Sequence, residues 1–280
     1  MSKRPAPPLP ERLAPLIDAH THLDACGAQD PSADGGASVA AIVDRAAAVG
    51  VGRVVTIADD LQAARFAVAA ANSDPRVYAA TALHPTRADA LDDAARAELE
   101  RLTEDPRVVA VGETGLDWYW PGRLDGCAEP QVQVEAFRWH IDLAKRRGLP
   151  VMIHNRDADA DVLRILAEEG APETVIFHCF SSGPETARAC IDAGYVLSFS
   201  GTVSFKNARG TRDAAQLVPA GQLMVETDAP FLTPHPYRGA PNESYCLPYT
   251  VRALAEIRGE DPVETARATT ATAERVYRLA

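Results

Sequence analysis

The sequence predicts an α/β fold, a (β/α)8 barrel of the TIM type. Eight short apolar segments alternate with segments of helical pattern along the 280 residues. The apolar segments are continuous rather than alternating, which is typical of parallel strands buried on both faces. A barrel of this kind contains eight such units and commonly fills about 250 residues. A doubly wound open sheet is the alternative.

The first half of the chain contains four of these strands. The runs that predict them begin at Leu16 and continue at residues 53–58, 77–83 and 107–112. Helical patterns lie at residues 38–49, 60–72 and 88–103. Gly50 stands where the first helix would end, since glycine favours the left-handed backbone that terminates helices. A loop rich in Gly, Asp and Ala, residues 24–37, connects the first strand to that helix.

The second half of the chain repeats the alternation of strands and helices. Strands five to eight are predicted at residues 149–153, 174–177, 195–200 and 222–226. Helices are predicted at residues 130–147, 158–169 and 184–193, with a weaker pattern at 204–217. A Pro-rich loop, residues 229–248, precedes two C-terminal helices. The pattern has no internal repeat and no interdomain linker, so we expect one barrel domain over residues 16–280.

The N-terminal residues and the amino-acid composition limit which functions are possible. Residues 1–15 are Pro-rich and lack a long apolar run, so we expect a flexible lead-in. No stretch reaches transmembrane length, which predicts no membrane association. Five dispersed cysteines without a Cys-x-x-Cys pair favour a reducing cytoplasm. The formal charge of −11 argues against a protein that coats DNA, but it does not exclude a small cationic site for a strand end.

Six chemically active side chains each follow an apolar run, at the predicted ends of strands 1, 4, 5, 6 and 8. They are His20, His22, Glu113, His154, His178 and Asp228. In a barrel all these strand ends meet at one face, which is where active sites lie. So many polar groups would have little to satisfy them without a metal ion. The pattern therefore predicts a metal centre at this face.

Two divalent ions fit six donors better than one four-coordinate ion. A plausible division gives His20, His22 and Asp228 to one ion, and His154 and His178 to the other. Glu113 has two oxygens and could bridge them. Some binuclear barrels bridge with a carbamylated lysine on strand 4, but the only lysines here are at positions 3, 145 and 206. Histidine donors favour Zn or Mn, whereas carboxylates and a phosphate substrate also suit Mg.

Such a pair of ions, about 3.5–4 Å apart, can hold a hydroxide and stabilise both the attacking and the leaving oxygen. This chemistry suits phosphodiester hydrolysis. Asp228 could act as general base by accepting the proton of the water, and Glu113 would be catalytic as the bridge. No organic cofactor is predicted.

Six segments resemble the TatD-type metal-dependent deoxyribonucleases, within the amidohydrolase-like barrels. In order they are residues 18–24 (DAHTHLD), 83–85 (LHP), 112–117 (GETGLD), 150–157 (PVMIHNRD), 178–181 (HCFS) and 226–232 (ETDAPFL). The resemblance implies a TIM-type barrel of the metal-dependent hydrolase type and a divalent-metal site. It also implies hydrolase activity, often as a 3′-to-5′ exonuclease on DNA. Some relatives are associated instead with removing D-amino acids from mischarged tRNA.

The sequence departs from the family pattern at three places. Thr86 stands where the family usually has a second His after His-Pro. The loop that begins at Arg238 has Pro241 and Ser244 at altered positions, and Thr272 replaces a usual Asn. The first two departures lie in segments expected to touch substrate, so they bear on substrate choice rather than on the metal ligands.

Four further residues are candidates for substrate contact. His84 ends strand 3 and could reach a phosphate or the attacking water, or it could be structural. Arg156 and Arg238 could clamp phosphate, because guanidinium binds phosphate bidentately; Arg156 could instead pair with a carboxylate. Trp118 opens an aromatic loop after strand 4 on which a base could stack, or it could anchor the loop. His140, in the middle of a helix, is interpreted as packing or surface.

The sequence thus predicts a monomeric cytoplasmic hydrolase that cuts a phosphodiester, most readily at a DNA end. One alternative keeps the site but cleaves an ester or amide, as a D-aminoacyl-tRNA deacylase does. Another alternative is a catalytically silent barrel that binds a partner.

Overall fold

The computed structural model describes residues 4–279 and contains one sheet of eight parallel strands in sequential order. The strands are β1 (Leu16–Thr21), β2 (Val51–Ile57), β3 (Val77–Ala80), β4 (Val108–Asp117), β5 (Val151–Arg156), β6 (Val175–Phe177), β7 (Val196–Phe199) and β8 (Leu223–Val225). A parallel bridge between Thr21 and Ala229 joins the last strand region to the first. The predicted TIM-type barrel is confirmed, and the open-sheet alternative is wrong.

Within residues 4–279, ten α-helices surround the sheet. They are α1 (Pro31–Asp34), α2 (Ala37–Ala48), α3 (Leu61–Ser73), α4 (Asp93–Leu102), α5 (Pro130–Arg147), α6 (Asp159–Glu169), α7 (Pro184–Asp192), α8 (Arg209–Ala215), α9 (Leu247–Arg258) and α10 (Pro262–Tyr277). Asp60 caps α3 by accepting a hydrogen bond from the Ala63 N–H, and Gly148 ends α5 in the left-handed region. Within the described range, no helix has the length and apolarity that crossing a membrane requires.

Two elements differ from their predicted bounds. β3 pairs only as far as Ala80, and the predicted start of the next helix is a 3-10 turn, Pro85–Ala90, before α4 begins. β4 continues to Asp117, five residues beyond its predicted end, because its register against β5 shifts between Val111 and Thr114. A shift of this kind accommodates extra residues in one strand and redirects its side chains.

The core has two layers. The larger layer packs the outer faces of the strands against the helices, with Phe137 and Leu143 of α5 fully buried. The smaller layer fills the barrel interior with residues such as Ile17, Val55 and Met224, and it includes Tyr277 of α10. The Tyr277 hydroxyl donates a hydrogen bond to the Ala19 carbonyl at 2.9 Å. Helix α10 therefore closes the end of the barrel opposite the predicted site.

The N-terminal segment lies along the barrel. Of the flexible lead-in expected over residues 1–15, residues 1–3 lie outside the described range. Pro7 and Pro10 are buried, and the carbonyls of Pro7 and Pro8 accept hydrogen bonds of 2.9 Å from Tyr245 and Tyr249. Residues 4–15 are therefore anchored at several points, contrary to the flexibility expected for them.

Candidate metal centre

The six side chains predicted to share a metal centre do meet at the carboxyl ends of the strands. All are buried except His154, which is partly exposed. His20 lies in β1 and His22 directly after it, Glu113 and His154 lie within β4 and β5, and His178 and Asp228 follow β6 and β8. The sequence placed Glu113 at the end of β4; it lies instead inside the strand, where the register shifts.

Glu113 stands between two groups of histidines. Its Oε1 lies 3.6 Å from the Nε2 atoms of both His20 and His22. Its Oε2 lies 2.7 Å from His178 Nε2 and 3.2 Å from His154 Nδ1. Each carboxylate oxygen thus faces a different pair of imidazoles, which is the arrangement that a bridging ligand needs.

Asp228 belongs to the first of these groups. Its Oδ1 lies 3.5 Å from His20 Nε2 and 3.5 Å from His22 Nε2, and those two nitrogens are 3.2 Å apart. The Asp228 backbone N–H donates to the His20 carbonyl, where the barrel closes. The closure between the first and last strands therefore holds Asp228 beside the histidines.

Each of the four histidines points one ring nitrogen into the centre and gives the other to a different partner. His154 Nε2 lies 3.0 Å from Asp117 Oδ2, and His178 Nδ1 lies 3.3 Å from Glu226 Oε1. The remaining two pairs are His22 Nδ1 with Asp59 at 3.7 Å and His20 Nδ1 with Met152 Sδ at 3.1 Å. Hydrogen-bonded carboxylates such as Asp117 and Glu226 fix the tautomer and the orientation of metal-binding imidazoles.

The charges within the cluster are strongly coupled. Burial alone would raise the pKa of Glu113, but His178 and His154 outweigh it and hold that pKa well below its usual range. Burial alone would lower the pKa of His178, but Glu113 and Glu226 raise it well above the usual value. The cluster thus favours an anionic carboxylate at its middle, as a cation site requires.

The geometry fits divalent ions. Donor atoms about 2.1 Å from a common ion are separated from one another by roughly 3–3.5 Å. The separations within each group, 2.7–3.6 Å, lie around this range. Imidazole nitrogens with carboxylate oxygens form a donor set suited to Zn, Mn and similar ions. The described residues include several His and carboxylate groups that could hold a metal ion, and these groups share Glu113 or His20.

A cavity of about 1050 Å³ opens over the centre. His84 lines this cavity, as its predicted contact with substrate requires, with its Nε2 3.3 Å from His154 Nδ1. The Thr86 backbone N–H donates to His84 Nδ1 at 3.2 Å, so the proton of the neutral ring belongs on Nε2. His84 therefore presents an N–H donor to the cavity.

Of the other residues predicted to contact substrate, Arg156 lines the cavity, whereas Trp118 and Arg238 do not. Arg156 lines the cavity, with its guanidinium carbon 3.9 Å from the centre of the Tyr119 ring. The structure does not place Trp118 there. Its indole N–H donates to Asp161 of α6 at 3.0 Å, and its neighbour Trp120 lines the cavity instead. Arg238 packs over Phe205 and, like Trp118, is not among the residues that line the cavity, so contact of either side chain with substrate stays a prediction.

Several residues at the site were missed from the sequence. Asp117 and Glu226 hold the rings of His154 and His178, and both stand in segments that resemble the family. Glu226 directly follows the apolar run at residues 223–225, which was a usable signal, whereas Asp117 follows no apolar run. Phe231 was missed as well; it is 51% exposed at the mouth, with its ring 5.9 Å from that of His22.

The departures from the family pattern differ in importance. Thr86 lines the cavity and binds His84, so this departure lies at the site. Loop residues 238–244 are absent from the described cavity lining. Their Asn242 instead donates to the Thr227 carbonyl at 3.0 Å, and Thr272 donates to the Ala220 carbonyl at 2.8 Å. The altered loop therefore does not remove a wall of the cavity.

A TIM-type barrel with this cluster at the carboxyl ends of its strands defines the class, a metal-dependent hydrolase. The chain belongs to the TatD family: the family described as TatD related DNase matches residues 17–278.

Individual proteins similar to this chain are also described as TatD proteins or TatD homologues. A Mycobacterium tuberculosis protein described as the uncharacterized metal-dependent hydrolase TatD is 67% identical over 264 residues, 94% of this chain and 98% of the relative. The 3′-5′ ssDNA/RNA exonuclease TatD of Erwinia billingiae is 34% identical over 247 residues, 85% of this chain and 92% of the relative. The crystal structure of the TatD homologue YJJV from Escherichia coli K12 superposes with a TM-score of 0.83 at 30% identity, covering 95% and 98% of the two chains.

Proposed function

We propose that this protein is a deoxyribonuclease that removes nucleotides from the 3′ end of single-stranded DNA with two divalent ions. The observation that carries the proposal is the position of Glu113, whose two oxygens face two separate histidine pairs. The relative from Erwinia billingiae that is named an exonuclease on single-stranded DNA and RNA supports the choice of substrate.

The proposed ligands follow the two groups. His20, His22 and Asp228 would hold one ion, His154 and His178 the other, and Glu113 would bridge them. Bound in this way, the ions supply an activated water and neutralise the charge that develops on the phosphate. Asp228 has a partly exposed carboxylate at the cavity and would accept the proton of the attacking water.

The surrounding residues would orient the phosphate. The His84 Nε2–H would donate a hydrogen bond to a phosphate oxygen beside the centre. Arg156 would bind the phosphate with its guanidinium, which stacking on Tyr119 already orients. The buried histidine partners would keep each ring in place, so that little reorganisation is needed during the reaction.

We also propose that the protein is a cytoplasmic monomer and that it uses no organic cofactor. The five cysteines are free, which supports a reducing compartment. The ions are Mg, Mn or Zn, and re-addition of each to the chelated protein identifies the one that supports activity.

The test is a digestion time course on 5′-labelled single-stranded DNA, after chelation and separate re-addition of Mg, Mn or Zn. Glu113→Gln is compared with the wild type, and Glu135→Gln on the exposed face of α5 serves as the matched control. We expect a ladder that shortens from the 3′ end in the wild type and the control, and no ladder in Glu113→Gln. Metal content, measured in parallel, verifies loading.

Two outcomes would overturn the nuclease proposal. If the loaded protein leaves DNA intact but releases the amino acid from a D-aminoacyl-tRNA, the centre is an ester hydrolase. If it is inert towards both substrates, the barrel is a silent binding protein.

A further inference from the structure

The mouth of the cavity is divided by charge. Apart from His22, a proposed metal ligand, the titratable residues that the loops after β1 and β2 add to the lining are acidic: Asp24, Asp30, Asp59 and Asp60. The loops that follow β6 and β7 contribute uncharged groups such as Ser181 and Thr202. A polyanionic strand would be repelled along the acidic sector.

The opposite sector carries the positive charge. Arg87 follows β3 and Arg156 ends β5, and both side chains are exposed and line the cavity. In residues 4–279, neither guanidinium forms an ion pair or a hydrogen bond. Other arginines of this acidic chain do bind carboxylates, as Arg65 binds Glu98 at 2.6 Å. Two exposed guanidiniums without a carboxylate partner at the same mouth are therefore available to an anionic ligand.

The loop after β4 lies between these arginines and adds an aromatic surface. Trp120 lines the cavity, and the guanidinium carbon of Arg156 lies 5.3 Å from the centre of its ring. Nucleobases stack on such side chains with little sequence preference. Asp89, Asp125 and Asp157 belong to the same loops, but they are not among the residues that line the cavity.

The cavity is larger than the reacting phosphate alone requires. Its volume of about 1050 Å³ lies at the upper end of small-molecule sites, which span roughly 300–1000 Å³. The metal centre occupies only its floor. The cavity therefore has room for nucleotides other than the one that reacts.

We infer that the loops after β3, β4 and β5 form the track along which the substrate strand extends from the metal centre, with Arg87 and Arg156 as its phosphate contacts. This inference rests on the proposed nuclease function and adds the path of the strand. Arg87 was not a candidate from the sequence.

The test compares two phosphodiesters that differ in length. The hexanucleotide dT6 reaches the track, whereas bis(p-nitrophenyl) phosphate fills only the reacting position. The variants are Arg87→Gln and Arg156→Gln, with Arg188→Gln as the control. Arg188 is exposed on α7, does not line the cavity, and forms no ion pair in the described part of the chain.

For dT6 we expect Arg87→Gln to raise KM about tenfold, with kcat within about twofold of the wild type, because the lost contact lies away from the reacting phosphate. Arg156→Gln should raise KM for dT6 and also lower kcat/KM for bis(p-nitrophenyl) phosphate, because Arg156 is proposed to orient the reacting phosphate as well. The slope of log KM against log salt should fall by about 0.7 for each arginine removed. For bis(p-nitrophenyl) phosphate, kcat/KM should change by less than about twofold in Arg87→Gln. Arg188→Gln should match the wild type on both substrates.

Binding of a fluorescent phosphorothioate dT6, measured by anisotropy, separates the two proposals. Hydrolysis of both substrates with dT6 parameters that are equal in all four proteins would overturn the track. Binding that depends on Arg87 and Arg156 without hydrolysis of either substrate would support the track and overturn the nuclease function. A wild type that neither binds nor cleaves dT6 would overturn both.

Discussion

At the residue scale, the metal centre depends on the partner of each histidine ring at the nitrogen that points away from the centre. Asp117 is the most firmly fixed of these partners. It is fully buried, its Oδ1 accepts the backbone N–H groups of Tyr119 and Trp120 at 2.9 Å, and its Oδ2 faces His154 Nε2. This geometry keeps the proton of the His154 ring on Nε2 and leaves Nδ1 free for a metal ion.

Asp117→Asn should therefore weaken metal binding about 10–100-fold. An amide that donates to Nε2 would move the ring proton to Nδ1, the nitrogen that faces Glu113. The measurement is a Mn²⁺ titration followed by the electron paramagnetic resonance of the free ion. Asp161→Asn, at a carboxylate that accepts the indole N–H of Trp118 and does not face the proposed ligands, is the control. Equal Mn²⁺ affinity in Asp117→Asn and the wild type would contradict this role.

His140 gives a prediction about pH. Burial lowers the pKa of His140 from 6.5 to about 4. Its Nδ1 lies 2.8 Å from the Ala136 carbonyl and its Nε2 accepts the Leu83 backbone N–H at 3.3 Å, so the folded state requires the neutral ring. Because the unfolded chain takes up the proton first, the contribution is complete above pH 6.5 and is lost as pH falls towards 4.

Wild type should lose about 2 kcal/mol of stability from this group between pH 7.5 and pH 5. His140→Gln lacks the titrating ring, so the stability difference between the two proteins should shrink by that amount. Urea unfolding of both proteins at the two pH values measures it, and other titrating groups cancel in the comparison. A difference that is independent of pH would refute the assignment.

The sequence located the reactive residues better than their neighbours. His20, His22, His154, His178 and Asp228 could be identified because each stands at the end of an apolar run. The choice between Trp118 and Trp120 could not be made, because it depends on where β4 ends. A strand that continues to Asp117 moves the start of the loop by five residues and changes which aromatic side chain faces the cavity.

At the element scale, the close approach of β4 and β5 sets the distance between Glu113 and His154. Gly115 has a φ of +137°, and a Cβ atom placed there would lie 2.1 Å from the His154 carbonyl oxygen. Only glycine allows both the backbone conformation and the approach. The register shift around Glu113 is thus accommodated by a residue that has no side chain.

Gly115→Ala should destabilise the protein by about 3 kcal/mol or more, because it combines backbone strain with an overlap against backbone. It should also reduce Mn²⁺ affinity by displacing His154. Gly52→Ala in β2 is the control, since a Cβ there meets nothing within 4 Å. Thermal unfolding and the Mn²⁺ titration measure the two effects. A Gly115→Ala protein as stable as Gly52→Ala would show that the strands can separate without cost.

The alternation of strands and helices could be predicted from the sequence, but the residues at which the strands end could not. Hydrophobic runs report burial, and every residue of β1 and of β8 is buried. Strand ends depend instead on hydrogen bonds to the neighbouring strand, and β3 stops pairing at Ala80 although Ala82 and Leu83 are buried as well. Burial and pairing are separate properties, and the sequence reports the first more directly.

At the scale of the whole molecule, the barrel is closed by α10 at one end and open to the cavity at the other. The N-terminal segment lies beside this framework and joins it through α9 and the turn before it. Besides the hydrogen bonds from Tyr245 and Tyr249, the Glu11 carbonyl accepts one from Arg252 at 2.7 Å. Composition gave no sign of these contacts, because backbone carbonyls accept them and any residue supplies a carbonyl.

Deletion of residues 2–11 should therefore lower stability without altering the metal centre. Four hydrogen bonds at about 1 kcal/mol each give a loss of about 4 kcal/mol, or roughly 8–16 °C in Tm for a chain of this size. Mn²⁺ affinity should be unchanged, because no residue of the segment is among those that line the cavity.

Calorimetry on the deletion and on Tyr249→Phe tests this expectation. Tyr249→Phe removes one exposed hydrogen bond and should cost no more than about 1 kcal/mol. An unchanged Tm in the deletion would mean that the segment is not held in solution. A weaker Mn²⁺ affinity would mean that the segment supports the mouth through the hydrogen bond of Arg4 to the Arg238 carbonyl, since that bond connects it to the loop after β8.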